Sequence, residues 1–306
     1  MRRLSHICAL VVTAALAAVC GAKSPTAPAT TTPGPCIAAP GVTCFGTNGY
    51  VEYDAGDLPL VISVPHGGSI APATIPDRTG TTVTDSNTVE LGRAIADAWR
   101  ARTGRTPHIV FCLLRRTKLD ANREIGEAAQ GNAAAAQAWT EYHAFIDTAT
   151  HQVQAQSGIG LYIDLHGHGH AIQRLELGYL LSASTLSLTD GQLDGGGYGS
   201  FSSLHLLLPR TPASFAEALR GATSLGGLLG TAVPSVPSPA SPSPGSDPYF
   251  DGGYSTERHT TTLPGLQIES NVTGVRDSAA GRAAFAAALV NALARYVSIH
   301  LGITLG

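Results

Sequence analysis

Residues 160–170 read GLYIDLHGHGH. The apolar run from Gly160 to Leu165 is a buried strand in composition, and it breaks abruptly into polar residues, as a strand does where it meets solvent at its carboxyl end. Upstream, Asn132 to Gln156 reads as a long helix closed by Ser157-Gly158, and His108 to Leu114 as a second strand. Before that, Ser86 to Arg102 reads as a helix with Leu91, Ile95, Ala98 and Trp99 on one face, ended by Gly104. Leu60 to Val64 is a third strand. Downstream, Glu176 to Ser182 and Leu266 to Glu269 read as strands. Thr211-Pro212 opens a helix in cap-then-proline order, and Ser278 to Leu301 is a last helix turning Phe285, Leu289, Leu293 and Tyr296 or Val297 inward. This alternation predicts an α/β fold.

Three apolar runs end in ionisable residues: Val61-Ile62-Ser63-Val64-Pro65 leads to His66, Leu161-Tyr162-Ile163 to Asp164-Leu165-His166, and Leu266-Gln267-Ile268 to Glu269. In open α/β sheets, sites gather beyond the carboxyl ends of strands, so the three can converge. Two histidines and carboxylates at one rim suit zinc. Strand alternation puts Asp164 and His166 on one face, where the carboxylate either orients a metal-bound imidazole or makes a buried ion pair. His168 and His170, farther from the strand, are expected to touch substrate or solvent. Gly67 and Gly68 are expected to allow a tight turn and leave room for a substrate.

The chain has 306 residues, 43% of them hydrophobic and 13% charged, enough to bury the core of one large domain. Its 19 Lys and Arg are scattered and the net charge is −3, so no basic stripe exists for a phosphate backbone and nucleic acid is not an expected partner. Residues 1–22 read as an export signal: Arg2 and Arg3 precede an apolar run, Ile7 to Val19, that is too short to span a bilayer. Cys20 stands either at ordinary cleavage or in a loose lipoprotein box, and a lipid anchor there is the one membrane contact expected. The mature protein is thus expected to be secreted, periplasmic or in the cell envelope. Residues 23–47 read as a Pro/Thr-rich linker and 48–306 as the domain, with an exposed Pro/Ser-rich insertion at 231–248. Export permits a disulfide closing Cys36 and Cys44 into a small loop, whereas Cys112 reads as a buried core thiol.

The segments VPHGG (64–68), TDSNTVEL (84–91), DANRE (120–124), IDLHGHG (163–169), DPYFDGGY (247–254) and QIESN (267–271), in this order, resemble the N-formylglutamate amidohydrolase family over about Leu60 to Asn271. The resemblance implies a three-layer α/β/α sandwich around a mixed, mostly parallel sheet, similar to metallocarboxypeptidases and aspartoacylases. It implies Zn2+ as cofactor, His66 and His166 as ligands, Glu269 as general acid/base, and Arg123 with Asn122 as the anchor of a substrate carboxylate. Carboxypeptidase-like sites carry a Glu where this chain has Ser69. The third ligand is therefore expected at Asp85, which matches the family's acidic residue before the following helix and is otherwise a helix N-cap; Glu90 is the fallback.

The physical roles agree. Zinc would acidify a water, with Glu269 taking its proton and returning one to the leaving nitrogen, and Arg115 or Arg116 could help an oxyanion. Arg123 offers a fork for a carboxylate, or an ion pair with Asp120 or Glu124. In DPYFDGGY, Tyr254 and Tyr249 are expected to point into the pocket with His259 nearby, although such stretches are also ordinary turns.

Serine chemistry is disfavoured because Gly253-Tyr254-Ser255-Thr256-Glu257 lacks the last glycine of a nucleophile elbow. Gly167-His168-Gly169 fails the dinucleotide pattern at Ile172. The expected function is exported, zinc-dependent hydrolysis of an N-acyl amino acid bearing a free carboxylate. A zinc peptidase acting on peptide, γ-glutamyl or cell-wall amides, and a non-catalytic binding module on the same fold, stay open.

Overall fold

A computed structural model describes residues 36–230 and 232–305; the expected export signal, with Cys20, lies outside them. Among the described residues, eight strands form one sheet: β1 (Thr43–Phe45), β2 (Val51–Asp54), β3 (Leu60–Val64), β4 (His108–Cys112), β5 (Leu161–Gly167), β6 (Leu175–Gly178), β7 (Ser235–Val236) and β8 (Gly265–Ser270). Their spatial order is β1-β2-β4-β3-β5-β8-β6-β7. The central run β4-β3-β5-β8 is parallel, and β6 pairs antiparallel with β8. Helices are α1 (Thr88–Thr103), α2 (Ile125–Ala129), α3 (Ala133–Ser157), α4 (Ala183–Leu186), α5 (Asp190–Gly195), α6 (Phe215–Arg220), α7 (Leu225–Leu229), α8 (Tyr254–His259) and α9 (Ala279–Leu301).

Every residue of β3 is buried because the sheet is covered on both faces. Leu60, Ile62 and Val64 join Leu91, Ile95 and Trp99 of α1 and Phe285, Leu289 and Leu293 of α9 in one core. Val61 joins Ala135, Tyr142 and Ile146 of α3 in the other. The two-residue period of the strand is what divides the cores, and the result is the expected α/β/α sandwich around a mixed sheet. Local chemistry sets the helix ends: Asn132 accepts from Ala135 N to open α3, and left-handed Gly158 closes it, the pairing of polar N-cap and glycine C-cap that leaves fewest backbone groups unpaired.

Four boundaries differ from the sequence reading. The sheet begins inside the expected linker, since β1 pairs with β2 and Cys36 is disulfide-bonded to Cys44. β6 stops at Gly178 rather than Ser182 because Leu180 turns left-handed, at φ 62°. α6 opens at Ser214, whose side chain accepts from Glu217 N, while the Thr211 hydroxyl is bonded to His300 Nδ1 on α9. The Pro/Ser segment is not wholly exposed: Ser235 and Val236 form the edge strand beside Leu175 and Glu176, and Val233 and Ser238 are buried. An edge strand bonds on one side only, so it tolerates flanking prolines.

Candidate active site

Strand register assembles the site. Ser63 pairs with Asp164, Asp164 with Gln267, and His166 with Glu269, so side chains from β3, β5 and β8 share the face turned toward α3. His66 follows β3 by two residues, and its carbonyl accepts from Asp85 N, drawing the loop before α1 onto the rim. Gly68 does not open space for a substrate: a β-carbon there would strike the Leu113 carbonyl, so the glycine permits two backbones to touch,.

The Nδ1 atoms of His66 and His166 lie 3.4 and 3.3 Å from the same oxygen, Oδ2 of Asp85. Their Nε2 atoms are taken by other carboxylates, Asp120 at 2.7 Å and Asp164 at 3.0 Å. A carboxylate accepts, so each Nε2 carries hydrogen and each Nδ1 presents a lone pair to Asp85. A bare lone pair does not face a buried carboxylate oxygen, so a proton or a metal ion stands between them. His66 Nδ1 has no hydrogen-bond partner among the described residues. Tetrahedral zinc with bonds of about 2.0–2.1 Å separates its ligand atoms by about 3.3 Å, and both Nδ1–Oδ2 separations meet that test. Asp85 is thus turned into the cluster instead of capping α1, where Asn87 holds the cap position. Glu90 is exposed on α1.

The surrounding charges favour a cation. Burial alone would raise the Asp85 carboxyl, but His66 and His166 hold it far below the ordinary range. Burial would lower His166, yet Asp164, Asp85 and Glu269 hold it well above the ordinary imidazole value. Glu269 is pushed up to about 8, by burial first and then by Asp85, Glu176 and Asp164, against the pull of His166. Its Oε1 is 4.0 Å from His166 Nδ1 and accepts from Gln267 Nε2 at 3.1 Å; Oε2 has no partner among the described residues.

Two arginines brace the cluster. Arg116 donates from Nε to Asp120 at 2.9 Å and lies 3.6 Å from Asp85. It is bound to the carboxylates that support the histidines rather than free for an oxyanion, and Arg115 is exposed. Arg276, which sequence reasoning missed, is buried and donates to the carbonyls of Ser270, Ser86 and His168. It therefore joins the three segments that carry Glu269, Asp85 and His166. Its guanidinium lies against Gly167, where a β-carbon would displace it.

The cluster opens into a cleft of ≈ 470 Å³ lined by Arg116, Asn122, Arg123, His170, Phe250 and Gln267 among others. Arg123 is about a third exposed and pairs with Glu127 at 3.2 Å, not with Asp120 or Glu124. Asn122 is committed to the protein: its Oδ1 accepts from Ser255 N, and its Nδ2 lies 3.4 Å from His166 Nε2. Tyr254 does not reach the cleft, because it begins α8 and sets its ring against Trp139. Tyr249 donates to Leu177 O, and His259 stacks on His143. From that segment Phe250 and Gly252 line the cleft instead.

His168, His170 and Glu176 also cluster, but His168 is satisfied on both nitrogens, by Arg174 O and His170 N. His170 bonds Glu176 and stacks on Phe250, whose N–H donates to the other Glu176 oxygen. This network fixes the loop over the cleft.

No family model matches the sequence, and no curated protein does. Solved structures do show likeness. An N-formylglutamate amidohydrolase from Ralstonia eutropha has a TM-score of 0.48 at 15% identity, over 87% of this chain and 100% of that one. A gene product of Agrobacterium tumefaciens has a TM-score of 0.48 at 12% identity, over 81% of this chain and 94% of that one. The N-acetylmuramyl-L-alanine amidase Ami1 from Mycobacterium smegmatis has 0.34 at 12% identity, over 78% and 96%. The functional reading of the cleft rests on its own residues.

Proposed function

We propose that this chain is a zinc-dependent hydrolase of amide bonds whose substrate carries a free carboxylate, as in an N-acyl amino acid. The observation that carries the reading is the convergence of two imidazole Nδ1 atoms and one Asp85 oxygen beside the free oxygen of Glu269. His66, His166 and Asp85 would hold the ion, and when bound it supplies the Lewis acidity that brings a water's pKa toward neutrality. Asp120 and Asp164 fix the imidazoles through their far nitrogens. Arg123 binds the substrate carboxylate, its exposed guanidinium exchanging Glu127 for the ligand. Glu269 takes a proton from the attacking water, whose oxygen joins the carbonyl carbon. The carbon–nitrogen bond then breaks as Glu269 returns the proton to nitrogen, giving an acid and an amine.

The cleft mouth favours a second reading, an amide larger than a formylated amino acid, such as a peptide, γ-glutamyl or cell-wall amide. Val83 is 75% and Phe250 44% exposed there, and apolar groups at a mouth suit a substituent beyond the scissile bond. We also assign the protein to an exported location, for which its leader composition and the Cys36–Cys44 pair speak,.

The test is metal content of the purified mature protein, followed by hydrolysis of N-formyl-glutamate and a panel of γ-glutamyl and peptide amides with and without chelator. About one zinc per chain with chelator-sensitive turnover supports the proposal. A protein that neither binds zinc nor turns over any member overturns it.

A further inference from the structure

We infer that Gln267 selects the substrate, accepting a hydrogen bond from the N–H of the scissile amide and so restricting the enzyme to secondary amides. The inference rests on the hydrolase reading above. Gln267 is 2% exposed and lines the cleft. Its Nε2 faces Glu269 Oε1 at 3.1 Å, and only the nitrogen end of an amide suits a carboxylate oxygen. The carbonyl end is thereby directed away from Glu269, and Oε1 has no partner among the described residues. A buried amide oxygen held without a donor is an acceptor prepared for one.

The neighbours on the sheet do not supply that donor. Asp164, paired with Gln267 on β5, is itself an acceptor and already takes bonds from Ser63, Thr256 and His166. Gly178, paired with it on β6, has no side chain. A ligand in the cleft is left to provide the hydrogen.

The placement has a chemical consequence. Gln267 and Glu269 are two residues apart on one strand face, so they address the same atom from adjacent positions. As the carbonyl carbon becomes tetrahedral, the nitrogen acquires a basic lone pair. With its N–H pointed at Gln267, that lone pair can turn toward Glu269. The proton that Glu269 took from water then reaches nitrogen, and the carbon–nitrogen bond breaks to give the acid and the amine. An ester offers no N–H, and an N-methyl amide puts a methyl group against Gln267; both leave its oxygen unpaired.

The experiment compares kcat/KM for three substrates with one acyl group and one carboxylate-bearing leaving group: the secondary amide, its N-methyl amide and the ester. Wild type, Gln267→Met and Gln267→Asn are measured, with zinc content and melting temperature recorded for each. The wild type should favour the secondary amide over the N-methyl amide by at least about tenfold. Relative to the ester, the secondary amide should lose about tenfold or more in whichever variant keeps its zinc. Unchanged ratios in both variants, or a wild type indifferent to N-methylation, overturn the assignment of Gln267 while leaving the hydrolase reading intact. Turnover of none of the three overturns that reading, and this one with it.

Discussion

His66 meets two carboxylates at opposite ends of its ring: Nε2 lies 2.7 Å from Asp120 Oδ1, and Nδ1 lies 3.4 Å from Asp85 Oδ2. A neutral imidazole can donate to only one of them. The shorter contact takes the hydrogen, and the longer one is the place for a cation. Asp120 therefore sets the tautomer in which His66 Nδ1 could hold a metal ion. Asp120→Asn would put a neutral amide where Oδ1 faces His66 Nε2 and Asn122 N and Oδ2 faces Arg116, so one end meets a donor with an N–H and the ring loses the anion that fixes its tautomer. Zinc affinity should fall about 10–100-fold, read by competition with a chromogenic chelator. Unchanged affinity would remove Asp120 from the support of the site.

Glu269 stands outside the group of His66, Asp85 and His166 that could hold a metal ion, and its Oε2 has no partner among the described residues. Glu269→Gln should lower kcat by about 10²–10⁴-fold with zinc still bound, whereas His166→Ala should lose the metal. Zinc analysis beside a rate assay distinguishes the two. A Gln variant of full activity would show that another group moves the proton.

Arg276 tests whether the rim depends on one buried guanidinium. Its removal takes a donor from three carbonyls, of which Ser270 O keeps the N–H of His168 while Ser86 O and His168 O lose the guanidinium, which costs roughly 1–3 kcal/mol. Arg276→Ala should therefore melt at clearly lower temperature and bind zinc more weakly. Gly167→Ala should resemble it while keeping the charge, since the new β-carbon collides with the guanidinium. Wild-type melting and zinc affinity in both variants would reduce the clasp to a spectator.

Much of this site was legible in the sequence for a definite reason. His66, Asp164, His166 and Glu269 follow apolar runs directly, and a parallel sheet sends such strand ends to one edge. Asp85 was legible only as one of two readings, and its carboxylate faces His66 and His166 while Asn87 holds the cap position of α1. Arg276 was not legible because its partners are backbone carbonyls, which leave no trace in residue identity. Tyr254 was misplaced because a Gly-rich aromatic stretch carries no period from which to tell which ring turns inward; Phe250 faces the cleft and Tyr254 faces Trp139. The strands β1 and β7 escaped because edges of two or three residues are too short to show alternation,.

Arg123 should act on substrate binding more than on chemistry. Arg123→Ala is expected to raise KM for a carboxylate-bearing substrate by about tenfold or more, with a smaller change in kcat. The same substrate with its carboxylate amidated should be nearly insensitive to the substitution. Equal effects on both substrates would assign Arg123 to the structural pair with Glu127 instead.

Acid stability depends on a histidine far from the cleft chemistry. His108 Nδ1 faces two donors, the Tyr53 hydroxyl at 2.8 Å and Gly56 N at 3.2 Å, so the ring is held neutral with its hydrogen on Nε2. Burial lowers its pKa to about 4, against a small opposing pull from Asp57. Above about pH 6.5 the ring is neutral folded and unfolded and contributes no pH dependence. Between about 6.5 and 4 the unfolded chain binds a proton that the native protein refuses, so stability falls as pH falls, by up to about 3 kcal/mol in all. His108→Asn keeps an acceptor near the Nδ1 position and does not titrate. Urea unfolding at pH 7 and pH 4 should show wild type losing up to about 3 kcal/mol more than the variant, because the other titrating groups are common to both. Equal losses would mean that His108 is protonated in the folded protein.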